Sequence, residues 1–253
     1  KLVIFLLITF TIKKMRFFLT IEYDGTNFVG WQKQNSGPSI QEKIEDCIYK
    51  ITQVKSSIYG SGRTDAGVHS KGQVAHVDIP KEFSSKRLMD AINAYLLDYK
   101  IKITEVKPTI PDAHARFSAI SREYEYVILN RSAPPALDDG RVWHQRIDLD
   151  IKNMKKAANH LVGTHDFTSY RATQCQSNSP IKTLDELSIN KVFDKVFIRA
   201  KARSFLHHQV RNIVGTLKLV GSGKWNPEDV LSALDKKDRT AAGPTAPACG
   251  LTL

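Results

Sequence analysis

The segment Ser132–Gly140, SAPPALDDG, constrains the architecture most. Adjacent prolines fit neither a helix interior nor a paired central strand, so no unbroken element runs through this point. The segment reads as a linker between two halves. Before it, Arg16–Tyr23 (RFFLTIEY) reads as a strand that ends at the turn signal Asp24-Gly25. Pro38-Ser39 opens a helix: Ser39 and Glu42 have capping-box spacing, and Ile40, Ile44, Cys47, Ile48 and Ile51 recur on one face. A short strand, Ser57–Gly60, leads into a glycine-punctuated loop, Ser61–His69. Further strands are expected at Gly72–Asp78, Ile101–Val106 and Glu123–Leu129. Ser84 caps a second helix, with Leu88, Ala91, Ile92 and Tyr95 facing inward. Beyond the linker come a helix at Ile151–Leu161, strands near Thr183–Asn190 and Val196–Ala202, a long helix near Leu206–Val220, and a short helix opened by Asn226-Pro227. Neither half alternates strand and helix strictly. The expected fold class is therefore α+β: two subdomains, 15–131 and 141–253, with mixed or antiparallel sheet flanked by helices.

With 253 residues the chain buries a core of real size, and its apolar and charged fractions are those of a globular protein. Lys and Arg number 37 against 26 Asp and Glu, a formal charge of +11 that suits a polyanionic partner. Cys47, Cys175 and Cys249 are odd in number and widely spaced, which argues against a disulfide framework or a structural zinc site and for a reducing compartment. Leu2–Ile12 is almost wholly apolar, yet too short to span a bilayer, and no small-residue cleavage site follows it. Residues 1–14 are read as an upstream extension before Met15 and set aside from the fold; no membrane association is expected.

Four segments are candidates for chemistry. Gly60–His69, GSGRTDAGVH, sets Arg63, Asp65 and His69 among three glycines. Such a loop after a strand presents a nucleophile or base well, or forms a plain turn with Asp65 bonded to nearby N–H groups. It lacks the ending of a phosphate loop, and no helical run follows as in a dinucleotide fingerprint. In His207–Asn212, Arg211 lies beside the apolar face of Val210, Ile213, Val214 and Leu217, where it either projects a guanidinium into a site or sits in solvent. Adjacent histidines on a helix point apart, so His207 and His208 are not expected to share a ligand. In Arg122–Tyr126, REYEY, alternation puts Tyr124 and Tyr126 on one strand face, as a stacking surface or as ordinary core. Arg239–Leu253 is a non-helical return in which Leu251 and Leu253 alternate as on an edge strand.

Together these segments resemble one family, the tRNA pseudouridine synthases of the A type, tRNA pseudouridine(38–40) synthases. The matching text is FFLTIEYDGTNFVGWQKQ (17–34), SGRTDAGVHSKGQVAHVD (61–78), HARFSAISREYEYVILN (114–130), GTHDFTSY (163–170), FLHHQVRNIVG (205–215) and RTAAGPTAPACGLTL (239–253). The resemblance implies the pseudouridine synthase fold, with the active site in the cleft between the subdomains. It implies isomerisation of uridine at positions 38, 39 and 40 in the anticodon arm of tRNAs, with no cofactor and no metal, by a cytoplasmic homodimer. Asp65 matches the family's essential aspartate, and Arg211 the arginine that pairs with it. Arg63 matches the residue that helps extrude the base, Tyr124 the tyrosine against the uracil, and Leu251 the apolar residue that closes the base. His69 and Arg203 join the expected substrate contacts. Lys33, Lys71, Arg171, Lys182, Lys201 and Arg203 are candidates for gripping phosphates. The apolar N-terminal extension departs from the family pattern, and family members usually continue a few residues beyond the equivalent of Leu253.

Two other classes compete. A non-catalytic RNA-binding protein on the same scaffold has no need of both Asp65 and Arg211. A hydrolase with an aspartate nucleophile wants a second carboxylate or metal ligands close by, and the loop offers neither.

Overall fold

The computed structural model describes residues 14–80 and 82–253; the segment set aside as an extension lies, but for Lys14, outside the described residues. The first sheet has four antiparallel strands in the order β2-β3-β1-β4: β1 Met15–Tyr23, β2 Ile58–Gly60, β3 Ser70–Ile79 and β4 Ile101–Thr109. Helices α1 Ile40–Thr52 and α2 Ser85–Tyr95 cover one face. Ser39 and Ser84 start them, each accepting a backbone N–H three residues on. Alternation along β1 sends Phe17, Leu19 and Ile21 into a core with Ala75, Val77, Ile44, Ile48, Leu88 and Ile92. Tyr95, expected inside, is exposed beneath the Lys50 ammonium. Leu96, four residues past Ile92, takes the core position instead.

The second sheet runs β10-β5-β9-β8-β7, built from β5 Arg122–Asn130, β7 Gly163–Asp166, β8 Ile181–Val192, β9 Lys195–Ala202 and β10 Leu251–Thr252. The three-residue β6, Trp143–Gln145, pairs parallel to β5. Helices α3 Ile151–Asn159, α4 Gln209–Gly221 and α5 Pro227–Asp235 pack on it, with Met154, Ile213, Leu217, Val230 and Leu234 facing Tyr126, Ile198 and Leu187. Mixed and antiparallel sheet flanked by helices is the α+β class expected.

The division between the halves differs from the expected one. β5, assigned by sequence to the first half, pairs along its length with β9 in the second sheet. The chain therefore crosses between sheets in 110–121, before β5. The proline-bearing segment 132–140 is no interdomain linker but the connection that brings β6 back parallel to β5. Such a connection cannot be a tight hairpin, which is why it carries turn-forming residues. Composition marks 132–140 as a loop, but only strand pairing shows that the chain changes sheet before it.

One strand joins the halves. β10 pairs with β5 on one side, while Leu251 O accepts from His69 N–H (3.0 Å) and Leu253 N–H donates to His69 O (3.1 Å) just before β3. The return to β10 passes directly over α4, where a Cβ on Gly215 would lie 1.7 Å from Pro244 O. That close approach lets Ala246 N–H donate to Arg211 O (3.1 Å) and fixes the helix against the seam.

Candidate active site

The loop Ser61–His69 lies at the seam, and the segment after β1 shapes it. Trp31 N–H donates to Thr64 O (3.1 Å), Gly67 N–H to Phe28 O (3.4 Å), and the Tyr23 hydroxyl meets Thr64 Oγ1 at 2.7 Å. Gly67 has φ +77°, a conformation that suits glycine and turns the chain inward to the buried Val68. Asp65 is left projecting toward the start of α4.

There Arg211 Nη1 donates to Asp65 Oδ2 at 3.0 Å, and Arg211 Nε to Ala246 O at 2.8 Å, so the guanidinium is aimed from both sides. His208 Nε2 lies 3.2 Å from Oδ2 and His207 Nε2 3.3 Å from Oδ1. This corrects the expectation that the two histidines diverge. The helix starts later than expected, at Gln209, and His208 is its cap with φ +62°. That left-handed turn brings the two rings within 4.0 Å of each other over one carboxylate. Burial alone would raise the Asp65 carboxyl; hydrogen bonding from His208, then Arg211, outweighs it and holds the group below the ordinary range. Burial and the neighbouring positive charges of His208 and Arg211 keep His207 below its usual value despite the attraction of Asp65. Asp65, His207 and His208 also form the one convergent set of metal-ligand atoms among the described residues, all within 4.8 Å. The Arg211 guanidinium puts a fixed positive charge beside any cation there.

The remaining expected residues divide. Tyr124 is buried at the edge of this centre, packed edge-on against Phe205 at 5.3 Å. Burial, then the nearby Asp65 charge, push its phenol well above the ordinary range, so it is a neutral hydroxyl. Leu251 is buried opposite Tyr126 on β10. Arg63 is exposed on the loop itself and Arg203 exposed after β9. His69 departs from the expectation of a substrate contact: it is buried, and both ring nitrogens are engaged inside the protein. Nδ1 accepts from Gly25 N–H and lies 3.2 Å from Asp24, and Nε2 faces the carbonyls of Gly140 and Cys249. Its place in the motif is explained by tying the loop to β10. Among the phosphate candidates, Lys71 pairs with Glu125 (3.2 Å) and Lys33 with Glu42 (3.8 Å), while Lys201 is exposed.

A family model described as tRNA pseudouridine synthase matches residues 19–118 and 157–253. A Rhodospirillum centenum protein named tRNA pseudouridine synthase A is 53% identical over 236 residues, which cover 93% of this chain and 96% of that protein. Proteins of the same name from Rhodospirillum rubrum and Acidiphilium cryptum are each 50% identical, over 94% of this chain. The chain belongs to the tRNA pseudouridine synthase family.

In this synthase three contributions escape a reading of the sequence. Residues 25–31 form the back wall of the loop, which only the hydrogen bonds reveal. Arg122 donates to Ser61 O (2.6 Å), Arg116 O (2.8 Å) and Arg203 O (2.5 Å), joining the loop, the crossover and the approach to α4. The histidine pair on Asp65 depends on the left-handed backbone at His208. Replacing His208 by Ala is expected to lower turnover roughly tenfold to a hundredfold, the range of one charge-assisted hydrogen bond. His208→Asn, which tolerates this backbone and keeps a donor, should recover part of the loss. Single-turnover rates on a tRNA transcript check this; equal rates for all three proteins would leave His208 a structural cap.

Proposed function

We propose that the chain isomerises uridine to pseudouridine at positions 38, 39 and 40 in the anticodon arm of tRNAs, with the Asp65 carboxylate acting on a base flipped out of the stack. The observation that carries this reading is the anionic Asp65 held at the seam by Arg211, His207 and His208. A carboxylate kept ionised in a partly buried place is suited to attack a nucleoside or to take a sugar proton; both roles fit the geometry. The N1–C1′ bond breaks, the uracil turns, and C5 joins C1′. The proton on C5 is lost to solvent and N1 gains one. Atoms and electrons balance, so the step calls for neither oxidant nor reductant. Arg63, exposed two residues before Asp65, is suited to fill the stack as the uridine leaves it, and a planar cation does this well. Tyr124 supplies a flat, uncharged wall and Leu251 an apolar one.

The substrate's phosphates match the +11 charge. We read the working form as a homodimer with one tRNA across both subunits, on resemblance to the family. We read its compartment as the cytoplasm, in keeping with three free cysteines. Among the described residues no helix is long and apolar enough to cross a membrane. Tritium release from C5-labelled uridine tests the reaction: release from a folded tRNA transcript, stopping when positions 38–40 are all changed to cytidine, is expected. Release from free uridine at a similar rate, or none from either with tRNA bound, would overturn the reading.

A further inference from the structure

The face of the first sheet turned away from α1 and α2 carries a cluster of rings that the chemistry above does not use. Tyr59 on β2 stacks on His76 of β3, with centroids 5.1 Å apart and planes at 18°. His114 meets His76 edge-on at 4.4 Å, and Phe117 lies 4.4 Å from His114. The two ends of the row open to solvent: Tyr59 is 53% and Phe117 73% exposed. The Arg116 guanidinium lies 5.9 Å over the Phe117 ring.

The row is held in place. Arg16, paired with Asp78 at 2.7 Å, donates to Ala113 O. Ala115 N–H donates to His76 Nδ1 at 3.1 Å. Burial, then the His114 and Arg16 charges, hold His76 down to about 4, so near neutral pH it is an uncharged ring with its acceptor nitrogen in use. The ring cluster is therefore ordered before anything binds, which spares the entropy of ordering it later.

The row is also continuous with the reaction centre. Tyr59 stands two residues before Ser61, where the catalytic loop begins, and Arg122 joins Ser61 to Arg116 through their carbonyls. On the same sheet face, Phe18, Val74, Ser61, Ile120, Arg122 and Leu253 line an open cavity of about 410 Å³. Exposed rings beside arginines, ending at a loop that acts on RNA, match the chemistry of an unstacked nucleobase with its phosphate.

We propose that Tyr59, His76, His114 and Phe117, beside the cavity that Ala115, Ser118 and Ser61 line, form a second stacking site that holds an unpaired nucleobase of the RNA substrate apart from the reacting uridine. This rests on the reading of the protein as a tRNA-modifying enzyme. The site binds without taking part in bond making, and its base is held by ring faces rather than by hydrogen-bonding edges, so it tolerates sequence.

The test uses the full chain and an unmodified tRNA transcript. Tyr59→Leu with Phe117→Leu keeps apolar bulk and removes the flat rings. The dissociation constant from filter binding is expected to rise at least about tenfold, with the single-turnover rate at saturating enzyme unchanged. Phe117→Trp should bind at least as tightly as wild type. Irradiation of the wild-type complex with tRNA carrying 4-thiouridine in its loops should give adducts on peptides containing Tyr59, His114 or Phe117. That arm requires no substitution, so it stands if the double variant misfolds. Unchanged binding by a folded double variant, or adducts only on other peptides, would overturn the site. So would a fall in sedimenting mass for the double variant without RNA, which would make the row a subunit contact. Ring-dependent binding without tritium release from wild type would sink the isomerisation and leave the stacking site standing.

Discussion

Asp65→Asn is expected to lower tritium release from a tRNA transcript by at least about 10⁴-fold, the upper range for loss of a positioned base, while tRNA binding stays within a factor of about three. The substitution is nearly isosteric. The amide oxygen it leaves in place of the carboxylate still accepts from Arg211 Nη1, which lies 3.0 Å from Asp65 Oδ2 in the wild type, so the loop keeps its place. What disappears is the negative charge, and with it both nucleophilic attack and proton removal. Binding persists because phosphate contacts, spread over a basic surface, carry most of the affinity for a nucleic acid. Single-turnover assays with filter binding alongside separate the two quantities. An equal loss of binding would make Asp65 a structural residue of the loop, and retention of a tenth of the activity would remove it from the chemistry.

Arg211→Ala is expected to cost roughly a hundredfold or more in turnover, from the loss of a charge-assisted hydrogen bond and of the carboxylate's orientation. The Arg211 side chain is only 15% exposed and is clamped to Ala246 O, so no solvent ion replaces it easily. The pH profile should move with it. The paired Asp65 titrates below its ordinary range, so the acid limb of activity lies below that range in the wild type. Without the guanidinium the carboxyl rises, and activity is lost at a higher pH as the medium is acidified. Stability follows the same sign: the pair's contribution is present above the unfolded carboxylate's pKa and fades as pH falls through the folded one. Arg211→Lys keeps the charge but loses the fork to Ala246, and should fall between wild type and Ala. Turnover measured from about pH 3 to 8 for the three proteins, a span that takes in the ordinary carboxylate and imidazole values, checks this; an unmoved acid limb in Arg211→Ala would show that the histidines alone hold Asp65 ionised.

Much of this site is legible in the sequence. The glycine spacing around Asp65 announces a loop built for presentation, and the apolar stripe of α4 leaves Arg211 at its border. Tyr124 and Tyr126 alternate inward on β5 as the REYEY pattern requires. The histidines depart from expectation because helical geometry does not extend back to His208, where the chain is not yet helical. His69 departs from it because motif neighbours need not share a direction: Gly67 turns the chain, and Val68 and His69 enter the interior while Asp65 stays at the seam.

The sequence by itself determined the elements, since hydrophobic periodicity, serine caps and turn residues act over a few positions. It also determined the family, since six separate stretches of matched residues leave little freedom. The tertiary structure alone decided how the elements were shared between sheets. β5 pairs with β9 far along the chain, and the two-residue β10 joins the halves by backbone hydrogen bonds that carry no side-chain signature. It also decided the charge state of Asp65, because burial and the approach of Arg211, 146 positions away, set that state only once the seam has closed.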